Sequence, residues 1–394
     1  MKKYWKSCLI SIFIVLVIGS FYIQSAYSAS KLPDFFIKTV EGKGEEFKGI
    51  TLDGYLNALG SEQPLEINRN STKYQSERSY FEEIKDSETD SITIRNLQRQ
   101  YPEFMRSSKQ VFEDAFFEDD KMLVSAFVDF KYNKVLDSSF VIKVLDKRDE
   151  KVRSMNLPIP NVKNYAYVWV QEVQYIDGQL MVVSNNNPHD GENHEIHVYS
   201  FDIGKKKLLD DRTILSENDP TFDYIYMRQT DNSKENNYIV LRKQTVDPEK
   251  PAYINQPLFI YNLHEQVEVK FNIANSDIKN VNETGEGNYY DKNNLYILGI
   301  KNGTATVSIY HLAGLEPHKS IRIPLGGKEA FFTAHNIWKR QIYFASSEGE
   351  DSDKKLIIAD LQNGNILYKG VVQSKKHINN LSATLQIHGI TIDK

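Results

Sequence analysis

Residues 165–215 read "YAYVWVQEVQYIDGQLMVVSNNNPHDGENHEIHVYSFDIGKKKLLDDRTIL". Four runs rich in β-branched and aromatic residues are separated here by short polar turns, and helical spacing of the apolar positions is scarce. Such a pattern predicts four strands joined by hairpins, with Asp177-Gly178 as a tight turn of the kind that matches strand twist. A single sheet of this size has two apolar faces and nothing to bury them against. Its neighbours in sequence must supply the cover.

They do so by repetition. Apolar landmarks that follow short polar turns recur at Leu65, Met122, Leu180, Tyr238, Leu295 and Ile342, at intervals of 57, 58, 58, 57 and 47 residues. A second run follows each landmark ("SFVIKVLDK", "EIHVYSFDI", "PLFIYNLHE") and then a third ("KVRSMNLPI", "VEVKFNI", "SIRIPL"), with "SITIRNL" expected as the third strand of the first repeat. A further strand precedes most landmarks, as in "YAYVWVQEV" and "DYIYMRQT". Four strands per repeat is the mark of a β-propeller blade, so the predicted class is all-β, a β-propeller of six or seven four-stranded blades occupying residues 31–394. Strand-like stretches at Phe35–Val40 and Phe47–Tyr55, together with Ser382–Ile392, predict that the two ends of the chain share a blade. The architecture is similar to that of the WD40, kelch and quinoprotein groups, but their Trp-Asp dipeptides, paired glycines and tryptophan motif are missing.

The first thirty residues have a different composition. Lys2, Lys3 and Lys6 precede an apolar stretch from Cys8 to Ile23, and no further charge appears before Lys31. As a helix this stretch spans about 24 Å, somewhat short of a hydrocarbon core of about 30 Å. Ala26 and Ser28 offer a signal-peptidase site. The expectation is an N-terminal hydrophobic helix over residues 1–28 that acts as a signal peptide or as a single anchor, leaving the propeller secreted or on the outer face of the cytoplasmic membrane. Cys8 is the one cysteine. The exported part therefore has no disulfide, zinc-thiolate site or thiol nucleophile.

A net charge of -5 with no basic face excludes nucleic acid as a partner class. Gly-rich phosphate loops and the Gly-x-Ser-x-Gly elbow are missing too, and nothing in the sequence asks for a cofactor.

Two constellations merit attention. His189, Asp190, Glu192 and His194 combine imidazole with carboxylate and are the candidate ligands of a transition metal if their hairpin loop folds back on itself; otherwise the loop is a solvated polar turn. His194 and His197, three apart on a strand, face opposite ways and cannot share an ion. Tyr167, Trp169, Tyr226, Arg228 and His335 lie on first strands of their blades, where aromatic faces with a cation and an imidazole suit a sugar, peptide or aromatic ligand at the mouth of a central channel. Packing between neighbouring blades is the alternative role for the aromatics. The function expected is a non-catalytic binding or scaffolding propeller at the bacterial cell surface, its partner a protein, peptide or cell-wall glycan, with the membrane engaged through residues 8–23 if they are retained. The rival is an exported hydrolase or lyase acting on a saccharide or peptide at the channel mouth.

Overall fold

The structure is a computed structural model that describes residues 32–58, 61–77, 92–106, 115–189, 194–217, 222–230, 235–245, 257–284, 287–314, 317–326, 331–347, 354–375 and 384–392, with a few isolated positions before residue 21. The N-terminal helix expected within residues 1–28 lies largely outside the described residues. Among those described, no helix is long and apolar enough to cross a membrane.

The fold class is all-β, of the β-propeller type, built from six sheets. The chain divides into two compact units, Met1–Ser87 with Leu325–Lys394, and Glu88–Pro324. The first unit holds sheets I and VI. Sheet VI consists of β22 (Phe331–Trp338), β23 (Gln341–Ser347), β24 (Lys355–Asp360), β25 (Ile366–Ser374) and, as a fifth strand, β1 (Phe35–Gly42). Sheet I has the order β26-β2-β3-β4, from β2 (Ile50–Ala58), β3 (Ser61–Ile67), β4 (Thr72–Tyr74) and β26 (Thr384–Ile392). The ends of the chain do share a blade. Between the two sheets of this unit lies one cluster in which Leu52, Leu56 and Ile67 meet Tyr343, Ile358 and Tyr368.

The second unit holds four sheets. Sheet II is β5 (Phe116–Glu118), β6 (Met122–Asp129), β7 (Ser139–Asp146) and β8 (Lys151–Pro158); sheet III is β9 (Tyr165–Ile176), β10 (Gln179–Pro188), β11 (His194–Asp202) and β12 (Lys207–Glu217). Sheet IV is β13 (Phe222–Tyr226), β15 (Tyr238–Thr245), β16 (Leu258–Asn262) and β17 (Val267–Glu268). Sheet V is β14 (Arg228–Gln229), β18 (Tyr289–Tyr290), β19 (Asn294–Lys301), β20 (Thr304–His311) and β21 (Pro317–Pro324). Strand pairing is antiparallel apart from β14 with β18.

The landmark runs become the second strands of sheets II, III, IV and VI and the third strand of sheet V, and sheet III shows why they read as unbroken apolar stretches. Leu180 and Val182 face sheet II, where they join Val124, Ile142 and Tyr199, whereas Met181 and Val183 face sheet IV and join Ile239, Leu241 and Tyr261. All four are at most 4% exposed. A strand covered on both sides has no polar face to alternate with, and each such side chain contributes about 1.5–3 kcal/mol by its burial. Sheets IV and V meet in the same manner through Val240, Ile260, Leu295 and Ile297. Asp177 and Gly178 both adopt positive φ (50° and 79°), the two-residue turn their sequence predicts.

The first repeat departs from expectation. "SITIRNL" is not a strand: Ile92–Gln100 forms helix α1, followed by α2 (Pro102–Met105). Ile94 and Leu97 share one helical face, and Tyr101, between the two helices, joins them in a cluster with Phe104, Phe116 and Leu123. Leu65 is also one strand late, in β3, because sheet I takes its first strand from β26. A third helix, α3 (Asn275–Thr284), sends Val281 into the cluster between sheets IV and V.

Candidate ligand-binding face and a buried histidine

Sheet III presents two polar clusters, one on each face. On the side of sheet IV, register places Tyr167 opposite Asn187 and Trp169 opposite Asn185. The rings of Tyr167 and Trp169 form an offset stack with centroids 5.1 Å apart and planes inclined by 26°. From β13, the Tyr226 hydroxyl donates to Asn185 Oδ1 at 3.2 Å. His194 Nδ1 lies 3.0 Å from Asn187 Oδ1. Tyr167, Trp169, Tyr226 and His194 are thereby joined through two carboxamides into one face.

Exposure separates these aromatics. Tyr224 and Tyr226 pack against the cluster between sheets III and IV, as the inter-blade role requires. Trp169 stands outside that cluster and is 42% exposed, although its strand neighbours Val168 and Val170 are buried. Arg228 belongs to β14, and its side chain lies outside the described residues. His335 stands on β22 of the other unit, opposite Phe344, and is half-buried.

The candidate metal loop is the hairpin between β10 and β11, as its sequence predicts. Asp190 and Glu192 lie outside the described residues. His189, exposed, donates its backbone N–H to Asn164 O at 3.3 Å. Among the described residues no three His, Cys, Asp or Glu side chains are placed to hold a metal ion.

The opposite face of sheet III contains a residue that sequence reasoning passed over. His197 is only 4% exposed. Its Nδ1 lies 2.8 Å from Asp211, and its Nε2 3.1 Å from Glu195, 3.2 Å from Thr213 Oγ1 and 3.4 Å from the Tyr165 hydroxyl. Tyr199 stacks on the imidazole at 5.5 Å and 14°, and Tyr165 meets it edge-on at 5.9 Å. The Tyr199 hydroxyl in turn accepts from Asn186 Nδ2 at 2.8 Å, and Asn186 Oδ1 accepts from Ser184 at 2.6 Å. Burial pulls the imidazole pKa down, but the hydrogen bonds and charges of Asp211 and Glu195 together outweigh it and hold it above the ordinary histidine value. Burial also pushes the Tyr165 and Tyr199 phenols up, which keeps both neutral.

Further along β9, after the irregularity at Gln171, the side of sheet IV becomes a buried polar network. Glu172 Oε1 accepts from Gln174 Nε2 at 3.0 Å and from Gln229 Nε2 at 2.7 Å, and Gln229 Nε2 reaches the Tyr290 hydroxyl at 3.0 Å. Gln174 Oε1 accepts the Asn236 backbone N–H at 2.9 Å. Strands β9 of sheet III and β14 and β18 of sheet V are cross-linked here.

No family model matches the chain, and no curated protein sequence matches it. Solved structures with propeller-like sheets are similar to it in fold. The apocarotenoid oxygenase of Synechocystis shares 8% identity over 92% of this chain and 96% of that one, with a TM-score of 0.40. The α-L-arabinanase of Penicillium chrysogenum shares 11% over 61% and 72%, with a TM-score of 0.32. The GH43 endo-arabinanase of Bacillus licheniformis shares 11% over 66% and 92%, with a TM-score of 0.25. Likeness at this level says nothing about reaction or ligand.

Proposed function

We propose that this chain is an exported β-propeller, held at the outer face of the cytoplasmic membrane or secreted, that binds a ligand without transforming it through the sheet III face centred on Trp169. One observation carries the reading. The indole of Trp169 is 42% exposed, backed by Tyr167 and bordered by Asn185 and Asn187. Exposed aromatic area with fixed polar neighbours is the composition of a recognition surface. Export is supported by the lysine-flanked apolar segment, and the partner classes in keeping with that location are a protein, a peptide or a wall glycan. Catalysis is the weaker reading because His197, the residue best equipped for proton transfer, is sealed among aromatic rings with both ring nitrogens engaged.

Full-length protein and its Trp169→Ala variant, immobilised and exposed to solubilised membrane and wall material, test this. Retention of a defined component is expected to fall about tenfold or more in the variant, and N-terminal sequencing is expected to start either at Met1 or at Ala29. Release of a sugar or peptide product by the purified wild type overturns the binding reading in favour of an exported hydrolase or lyase.

A further inference from the structure

We infer that the ligand of the Trp169 face is a neutral oligosaccharide, stacked by the C–H face of a pyranose ring on the indole. This deepens the reading above and rests on it. Three features of the face point to that class.

The first is charge. The six side chains that make it, Tyr167, Trp169, Asn185, Asn187, His194 and Tyr226, include no carboxylate, ammonium or guanidinium, and the ammonium of Lys243 on the same side of sheet IV is taken up over the Tyr224 ring, so the indole platform itself is built for uncharged groups. The second is chemistry. Sugar rings combine apolar C–H patches with hydroxyls that donate and accept, and this face pairs an aromatic platform with carboxamides, an imidazole and a phenol. Asn185 has its oxygen engaged by Tyr226, which orients its amide and leaves N–H as its main offering to a ligand, while the nearly buried Asn187 holds His194 in place through its own oxygen. A binding face for an apolar peptide would need anchor pockets instead, and the aliphatic residues of β9 beside Trp169, Val168 and Val170, point into the opposite cluster.

Rigidity is the third. Tyr167 backs the indole on one side, so the exposed part is held in one orientation before any ligand arrives. Tyr226 is fixed from the neighbouring strand of sheet IV through Asn185. Ordering costs on binding are correspondingly small, which suits a ligand whose hydroxyls must leave water to bind.

Titration of the full-length protein with chitohexaose and with cellohexaose, followed by calorimetry and by tryptophan fluorescence, tests the assignment. Neutral chains with equatorial substituents present flat C–H faces, so saturable binding to at least one is expected. It should weaken about tenfold or more in Trp169→Ala, recover largely in Trp169→Phe, and weaken severalfold in Asn185→Ala. The Phe variant keeps the stack, so its recovery distinguishes a stacking platform from a folding defect. Absence of binding to both oligosaccharides, alongside Trp169-dependent retention of a peptide or protein in the capture experiment, overturns the glycan assignment and leaves the binding face standing. Saccharide binding that Trp169→Ala does not change overturns the binding face itself.

Discussion

The two faces of sheet III are made by the same strands, alternate residues along each strand turning to opposite sides. On the side of sheet II, polar groups are buried and satisfied: His197 has hydrogen-bond partners at both nitrogens and aromatic rings around it. Around Trp169, on the side of sheet IV, the polar groups only border an aromatic pair that remains open to solvent. A buried network of this kind holds the sheet in a single register, because every group left without its partner costs free energy. An open platform does not contribute in that way. The contrast assigns stability to the His197 cluster and, on the function proposed above, recognition to the Trp169 platform alone, since the rest of the sheet IV side is packed.

The sharpest way to break this comparison is to alter both centres. His197→Phe leaves Asp211 and Glu195 facing an aromatic ring, and is expected to lower the unfolding free energy of the second unit by about 3 kcal/mol, read as a fall in the urea midpoint. Next in size is Tyr199→Phe. It removes the acceptor of Asn186 Nδ2 and is expected to cost about 1–2 kcal/mol in the same assay. Trp169→Ala is expected to change stability by no more than about 1 kcal/mol, as for other half-exposed side chains away from the core. A loss as large as that of His197→Phe would make the platform structural and end the division of labour.

Acidity sharpens the comparison from another side. The folded pKa of His197 is raised, so its stabilising contribution is complete below the ordinary histidine value of about 6.5 and declines as pH climbs through the folded value. The stability gap between wild type and His197→Gln should therefore be widest near pH 6 and narrow toward pH 9. Urea unfolding at a series of pH values checks this, and a gap that widens with pH would show that the imidazole is held neutral.

Much of the architecture is legible because propeller strands carry their signal locally. Tight turns such as Asp177-Gly178 and paired apolar runs such as 180–183 need no knowledge of the rest of the chain. "SITIRNL" misleads because Ile92 and Ile94 alternate like strand residues, while the spacing from Ile94 to Leu97 carries the helical face. The aromatic part of the candidate site is visible by period-two reading of β9, which puts Tyr167 and Trp169 on one side, but the same reading adds Tyr165, which the irregularity at Pro188 turns to the opposite face against His197. His197 escapes because its partners are set by register: Asp211 and Thr213 reach it only through the pairing of β11 with β12, which shifts between Ile196 and His197. No single-strand pattern encodes that shift. Glu195, His197 and Tyr199 do alternate along β11, and three polar or titratable residues on the inner side of an apolar strand were the available clue.

The pairing of β26 with β2 has a consequence for how the chain matures. Translation must run about 300 residues beyond β4 before the strand that completes sheet I exists, a delay of about 15–60 s at ordinary elongation rates. Throughout that interval β2 carries an open edge of amides and carbonyls, able to capture an equivalent strand from a neighbouring nascent molecule and swap it. Efficient production of this protein therefore depends on keeping young copies apart until each has met its own tail.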